Sequence, residues 1–362
     1  MSIPKESTCF IVNEQPYAKV NFDLNDEKST FKLTTKPLRE IQNGELLIKT
    51  IYLSNDPTQR AWIQKGMKAD RMYVELVGKN QIMRSVGIGQ VVQSKLEGYQ
   101  PGDYVNCVLN WSDYAIIKKD AIYNKITNKS IPLTQYLDVL GTTGITAYVA
   151  LQKVISLKST DTVVISAASG ATGSMCVQIA KKVVGCKKVI GISGSEDKCK
   201  WVESLGADVC VNYKSPTFAK DMSAALGKEK FCDVYMDSVG GKILDVMLGL
   251  TKPFGTILAC GAIAGYNDFK SSMIANWPQI ITNRLTVKGF IVLDFKDSYP
   301  EAIQAILKWI KEGKVIANES SFTVVDLTSP GDFKKIPETW GLLFSDKKGP
   351  GKLLTKIGSS KL

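Results

Sequence analysis

The chain has 362 residues, 44% of them apolar and 22% charged; that is long for one domain, comfortable for two, and ordinary for a globular protein. It has a formal charge of +11 and no histidine. The missing histidine excludes a Ser–His or Cys–His nucleophile, a histidine general base and any histidine-containing zinc site. An all-Cys or Cys/carboxylate zinc site stays open in principle. The eight scattered cysteines, with no C-x-x-C, argue against it and are expected to stay reduced. No apolar run approaches the ~18 residues of a membrane helix. The opening "MSIPKESTCF" lacks a signal-peptide pattern. The lysines are dispersed, so the charge is read as a solvated basic surface that attracts anions rather than as a nucleic-acid face.

Up to about residue 130 the chain reads as β-rich. "GELLIKTIYLS", "VGIGQVVQS" and "GDYVNCVLNWSDYAII" are short apolar or alternating runs punctuated by Gly, Pro and Asp. From about residue 160 the rhythm changes. "DTVVISAA" is a continuous apolar strand, followed by a helix predicted from Ser174 to about Val184. Then come strand "KKVIGIS", helix "SEDKCKWVESLG", strand "ADVCVNY", a helical stretch over 215–227 and strand "CDVYMDSVGG". Helix "KILDVMLGL", strands "GTILACGA" and "LTVKGFIV", and helix "YPEAIQAILKWIKEGK" complete the region. Alternation of strands and helices predicts an α/β fold with a doubly wound parallel sheet. "ESSFTVVDL" and "GKLLTKIG" return to short strands. The expected organisation is a Rossmann-type domain over 136–317, inserted in a β-rich domain made of 1–135 and 318–362.

The stretch "SAASGATGS", between the first strand of the insert and its helix, is a small-residue turn. A helix start with free N–H groups attracts a pyrophosphate, and small residues let it approach. Gly170 and Gly173 keep the spacing of the last two glycines of G-x-G-x-x-G, while Ala168 stands in place of the first. One strand later, "GISGSEDK" has no acid at 192–195, where an NAD enzyme places one for the ribose 2′-hydroxyl. Ser193 and Gly194 with Lys198 suit a 2′-phosphate instead, which predicts NADPH; Glu196 and Asp197 fit the first turn of a helix.

These residues resemble the zinc-independent medium-chain dehydrogenase/reductases. Within them the chain is similar to the leukotriene B4 dehydrogenase / prostaglandin reductase / alkenal double-bond reductase group. "YLSNDPTQR", "LGTTGITAY", "AASGATGS", "GSEDK", "VNYK", "DSVGG" and "CGAIAGY" follow in the family's order, over nearly the whole chain. The resemblance implies a GroES-like β-rich substrate domain, a homodimer and no metal. It implies that Ser169, Gly170, Ala171, Thr172, Gly173 and Ser174 wrap the pyrophosphate, and that Lys198 and Tyr213 bind the 2′-phosphate. Cys260, Gly261, Ala262 and Ile263 would line the nicotinamide ribose, and Phe290, Ile291 and Val292 the nicotinamide. Tyr266 matches a tyrosine that reaches the substrate carbonyl. The chain also departs from the group: Thr58 replaces an aromatic residue of the substrate pocket, Ser238 a cofactor-side Asn, and Gly349 an Asn near the end, while "LGTTGITAY" is shorter than its counterpart. Arg60, Trp62 and Trp111 are further pocket candidates, each equally suited to packing.

The expected reaction is hydride transfer from NADPH to the β-carbon of an enal or enone, with Tyr266 stabilising charge on the carbonyl oxygen. An NADPH quinone reductase and a non-enzymatic NADPH-binding protein are the alternatives. The final Ser360-Lys361-Leu362 matches the address read by the peroxisomal import receptor, which predicts a peroxisomal location, with the cytoplasm as the alternative.

Overall fold

In a computed structural model of the protein, which describes residues 3–128 and 130–359, the chain divides into two compact units. One holds the residues up to 137, 323–348 and those from 353 onward; the other holds 138–322 and 349–352. The second unit therefore begins at Asp138 and runs to Phe322 rather than spanning 136–317, and it takes in a late segment that the sequence did not assign to it. The tripeptide Ser360-Lys361-Leu362 lies outside the described residues.

The first unit opens with β1 (Glu6–Val12) and β2 (Phe31–Pro37), an antiparallel pair. β3 (Glu45–Asn55), the short helix α1 (Gln59–Trp62), β4 (Arg84–Ser94), β5 (Tyr104–Asn110), β6 (Tyr114–Lys118) and β7 (Ile122–Ile126) follow. Its core is aromatic. Trp111 packs on Phe10, Phe31 and Trp340 with ring centroids 4.9–6.3 Å apart. Each such pair contributes about 0.5–1.5 kcal/mol beyond the burial of its area.

The second unit begins with α2 (Thr142–Tyr148), β8 (Thr162–Ile165), α3 (Ala171–Gln178), β9 (Lys188–Ser193) and α4 (Glu196–Ser204). It continues with β10 (Val209–Asn212), α5 (Phe218–Leu226), β11 (Cys232–Asp237), α6 (Gly241–Leu250) and β12 (Thr251–Ala259). α7 (Pro278–Thr282), β13 (Thr286–Gly289) and α8 (Tyr299–Lys311) complete it. The strands form one parallel sheet in the order β10-β9-β8-β11-β12-β13. That is the 3-2-1-4-5-6 order of a dinucleotide-binding fold. All four residues of β8 are buried, as expected of a central parallel strand covered on both faces. Ser321 Oγ donates to Asp138 Oδ2 at 2.6 Å, pinning together the two places where the chain enters and leaves the unit.

β14 (Phe322–Asp326), α9 (Ile336–Gly341) and β15 (Lys352–Lys356) return the chain to the first unit, whose large sheet runs β14-β15-β3-β4-β5-β7, with β6 on β3.

Candidate cofactor site and active site

Because every strand of the second sheet is parallel, the residues that follow the strands all emerge along one edge. The expected cofactor residues occupy these positions. Tyr213 follows β10; Ser193 ends β9 and Gly194 follows it. Ser169–Ser174 follow β8, Ser238 follows β11, Cys260–Ile263 follow β12, and Phe290 follows β13. In the order of the sheet they run from the residues expected at the adenosine end, through those expected at the pyrophosphate, to those expected at the nicotinamide end. The carboxyl ends of such strands at the switch in strand order form the binding crevice of this sheet type.

The turn after β8 is tighter than the sequence suggested. Ala167, not Ala168, takes the left-handed backbone (φ 46°), and Ala168 is fully buried. α3 starts at Ala171, three residues before the predicted start, with Gly170 as its N-cap and no side chain capping the first turn. The first-turn N–H groups are thus left to a ligand. A Cβ on Gly173 would sit 2.3 Å from Ala167 O, so only glycine lets the helix close on the turn. Ser169, Gly170, Ala171 and Thr172 are half-exposed. Gly173 and Ser174 are buried, and Ser174 Oγ donates back to Ala171 O at 3.0 Å. A late segment closes the loop from the other side. Gly351 N–H donates to Ser169 O at 2.8 Å and bridges Gly170, and a Cβ on Gly351 (φ 75°) would lie 2.1 Å from Ser321 O. Gly349 belongs to this same segment. The sequence reading missed Gly351; its signal is the paired glycines of "GPGK".

At the adenosine end, Ser195 caps α4 by accepting from Lys198 N–H at 3.3 Å. Tyr213 is 42% exposed and its ring lies over Gly194, where a Cβ would be 2.9 Å away. Glu196 Oε1 accepts from Asn212 Nδ2 at 2.9 Å, beside the end of β9, where Asn212 is the register partner of Ser193; Glu196 and Asp197 both lie in the first turn of α4. Nothing acidic ends β9.

At the other end a cavity of about 600 Å³ is lined by Ala259, Cys260, Gly261, Ala262, Tyr266, Gly289, Phe290, Ile291 and Asp294. Ile263 and Val292 are not in its wall. Asp294 was not foreseen; it sits on the turn after β13, a segment without a sequence motif. Burial pushes the Cys260 thiol up to about 12, against the opposing influence of the Ser238 hydroxyl. Asp237 organises the surrounding loops. Its Oδ1 accepts from Tyr235 OH, Val239 N–H and Gly240 N–H at 2.9–3.0 Å, and its carbonyl accepts from Cys260 N–H at 2.8 Å. Burial raises the Asp237 pKa against the opposing pull of these bonds.

Burial corrects the pocket reading of Trp111, Arg60 and Trp62 in the first unit. Trp111 is fully buried in the aromatic core, so it is a packing residue and not a pocket wall. Arg60 is 1% exposed; its guanidinium donates to the carbonyls of Ala18 (2.7 Å) and Pro16 (3.3 Å), and burial lowers its pKa to about 10. It braces the N-terminal segment. Trp62 is buried beneath the Arg84 guanidinium, 4.9 Å from its ring. Thr58 is half-exposed, with its hydroxyl bonded to that of Tyr73.

Comparison with known proteins agrees with this arrangement. Residues 171–308 match the family model described as zinc-binding dehydrogenase, and 18–124 match an N-terminal domain of oxidoreductase. The chain has no histidine, and among the described residues no group of three or more Cys, Asp or Glu side chains is placed to hold a metal ion. It is 37% identical, over 96% of each chain, to a Saccharomyces cerevisiae protein named as uncharacterized membrane protein YML131W. Among the described residues here no helix is long and apolar enough to cross a membrane. It is 36% identical to the NADP(+)-dependent 2-alkenal reductase of Nicotiana tabacum, over 76% of this chain and 78% of that one. The structure of CurA from Vibrio vulnificus in complex with NADPH superposes with a TM-score of 0.83 at 28% identity, covering 97% of this chain and 99% of that one. With a 3-2-1-4-5-6 sheet, a small-residue phosphate loop and these relatives, the chain belongs to the zinc-independent medium-chain dehydrogenase/reductases, in the group of the alkenal double-bond reductases.

Proposed function

We propose that this protein reduces the activated C=C bond of α,β-unsaturated aldehydes or ketones. The chain is an NADPH-dependent oxidoreductase acting on C=C bonds. Its own residues fit the cofactor: an uncapped helix start behind a glycine, no acid at the end of β9, and a cavity at the ends of β12 and β13. When bound, NADPH supplies hydride to the β-carbon of the substrate. One observation carries the substrate reading. Tyr266 lines the same cavity as Cys260–Ala262 and Phe290–Ile291, so a hydroxyl donor stands where the nicotinamide end is expected. Negative charge that develops on the substrate carbonyl oxygen is stabilised by such a donor, with no metal or histidine required. NADPH oxidation measured against a panel of 2-alkenals, enones and quinones tests the reading. Reduction of quinones without reduction of alkenals favours a quinone reductase; NADPH binding without turnover favours a binding protein.

We also propose a homodimer. β13 is an outer strand of its sheet and all four of its residues, Val287 among them, are exposed; Ile281 on α7 and Phe254 on β12 are exposed as well. An exposed outer strand is a template for pairing with another chain. Light scattering on the wild type and on Val287→Lys checks this: a monomeric wild type sinks it. Peroxisomal import through Ser360-Lys361-Leu362 is proposed from the sequence. Diffuse fluorescence of an N-terminally tagged chain, unchanged on deleting the tripeptide, would reject it.

A further inference from the structure

Tyr266 stands at the start of a segment with little packing of its own. No residue from 263 to 280 is buried, and Phe269, Met273 and Trp277 are 83%, 69% and 60% exposed. Of its apolar side chains, Ile274 and Ile280 pack against the core of the unit. Apolar burial therefore does little to fix where the tyrosine stands.

The fixing comes from one face of α6. Gly241 and Asp245 are four residues apart and so lie on the same side of that helix. At Gly241 the segment meets the helix backbone closely: a Cβ there would lie 2.1 Å from Ser271 O. One turn on, Asp245 Oδ1 accepts from Ala275 N–H at 2.7 Å and from Asn276 N–H at 2.6 Å. Asn276 Nδ2 bonds back, donating to Asp245 O at 3.0 Å and to Asp245 Oδ2 at 3.3 Å. Hydrogen bonds to an ionised carboxylate are roughly twice as strong as neutral ones.

Two short turns, Ile263–Gly265 and Phe269–Ser272, pass this hold back to Tyr266. They pack on each other: a Cβ on Gly265 would lie 2.8 Å from Ser272 Cβ. Asp268 stiffens the second turn, accepting from Lys270 N–H at 3.1 Å and from Ser271 Oγ at 2.7 Å. At the first turn, Ala264 N–H donates to Val239 O at 3.1 Å and Tyr266 N–H to Ile263 O at 3.3 Å.

We propose that Asp245 is a positioning residue for the reaction: from α6 it holds the segment that sets where the Tyr266 hydroxyl stands. Asp245 is outside the cavity wall, so it acts through Tyr266 and not on the substrate. Without its carboxylate the N–H groups of Ala275 and Asn276 turn to water, and the two turns lose their anchor at the far end. A hydroxyl displaced by about 1 Å stabilises charge on a carbonyl oxygen far less well. The effect on turnover rests on the Tyr266 reading above; the hold on the segment does not.

The test uses the full chain and two measurements. In amide hydrogen exchange without ligands, Asp245→Ala is expected to speed exchange in peptides covering 263–277 and to leave those of β8 and β9 unchanged. In turnover of an enal it is expected to lower kcat about ten-fold. In a Tyr266→Phe background the same change is expected to cost less than about two-fold, because the hydroxyl it places is gone. Asp245→Asn keeps an acceptor oxygen for both N–H groups and recovers most of the loss. Where Asp245→Ala does not fold, Asn276→Ala removes only the two amide bonds and gives the same pattern at smaller size. Unchanged exchange over 263–277, or an equal loss of kcat with and without the Tyr266 hydroxyl, overturns the proposal. Faster exchange in a chain whose kcat does not depend on Tyr266 overturns the Tyr266 reading and the effect on turnover, and leaves the hold on the segment in place.

Discussion

The backbone N–H of Ser169 donates to Ser193 Oγ at 3.2 Å, tying the phosphate loop after β8 to the end of β9. Ser193 is 2% exposed, so the bond is shielded from water. Ser193→Ala leaves the Ser169 N–H to the solvent or the ligand. One such bond is worth about 1 kcal/mol, so the NADPH Kd should rise roughly five-fold in a fluorescence titration. An unchanged Kd would mean that the loop is held without it, by bonds such as Ala168 N–H to Ile192 O and Gly351 N–H to Ser169 O.

Selection of NADPH over NADH is expected to depend on charge at the start of α4. Ser195→Asp keeps an N-cap of equal quality and adds a carboxylate where the 2′-phosphate is expected. The NADPH Kd should rise by about ten-fold or more, with NADH little affected. Equal weakening of both cofactors would place the 2′-phosphate elsewhere.

Tyr266→Phe removes the hydroxyl and keeps the ring. With an enal as substrate kcat should fall on the order of 10²-fold while the NADPH Kd stays within error. A matching rise in the NADPH Kd would instead make Tyr266 a packing residue of the cavity.

A pH prediction concerns the first unit. Arg39 donates twice to Glu45, at 2.6 and 2.8 Å, and Gln42 N–H donates to the same carboxylate at 2.9 Å. The Arg39 bonds, then the backbone bond, hold the Glu45 pKa at about 2, below its ordinary 4.5. A depressed folded-state pKa gives stability that is present above the unfolded value and lost as pH falls towards the folded one. The stability advantage of wild type over Glu45→Gln in urea unfolding should therefore shrink between pH 4.5 and about 2. An advantage independent of pH would remove Glu45 as the cause.

The parallel sheet was legible because strands buried on both faces read as unbroken apolar runs, as "TVVI" does. The strand-end positions of the expected cofactor residues were legible for a related reason: strand ends are marked by the change from apolar to small or polar residues. What stayed hidden depends on distant partners. Arg60 and Trp111 look like pocket residues in one dimension, and only packing of α9 and the N-terminal segment shows them to be enclosed. The strain at Ala167 was invisible because alanine does not advertise a left-handed backbone as glycine does. The role of Gly351 needs a neighbour, Ser169, that no local pattern names.

That last pairing has a consequence for synthesis. A ribosome delivers Ser169 and Gly170 early and Gly351 late, after the intervening strands and helices of the sheet. During most of translation the phosphate loop lacks the strand-like neighbour that closes its open side. The nascent chain can assemble the sheet, yet the Ser169–Gly351 bond that closes the loop forms only after Gly351 has emerged.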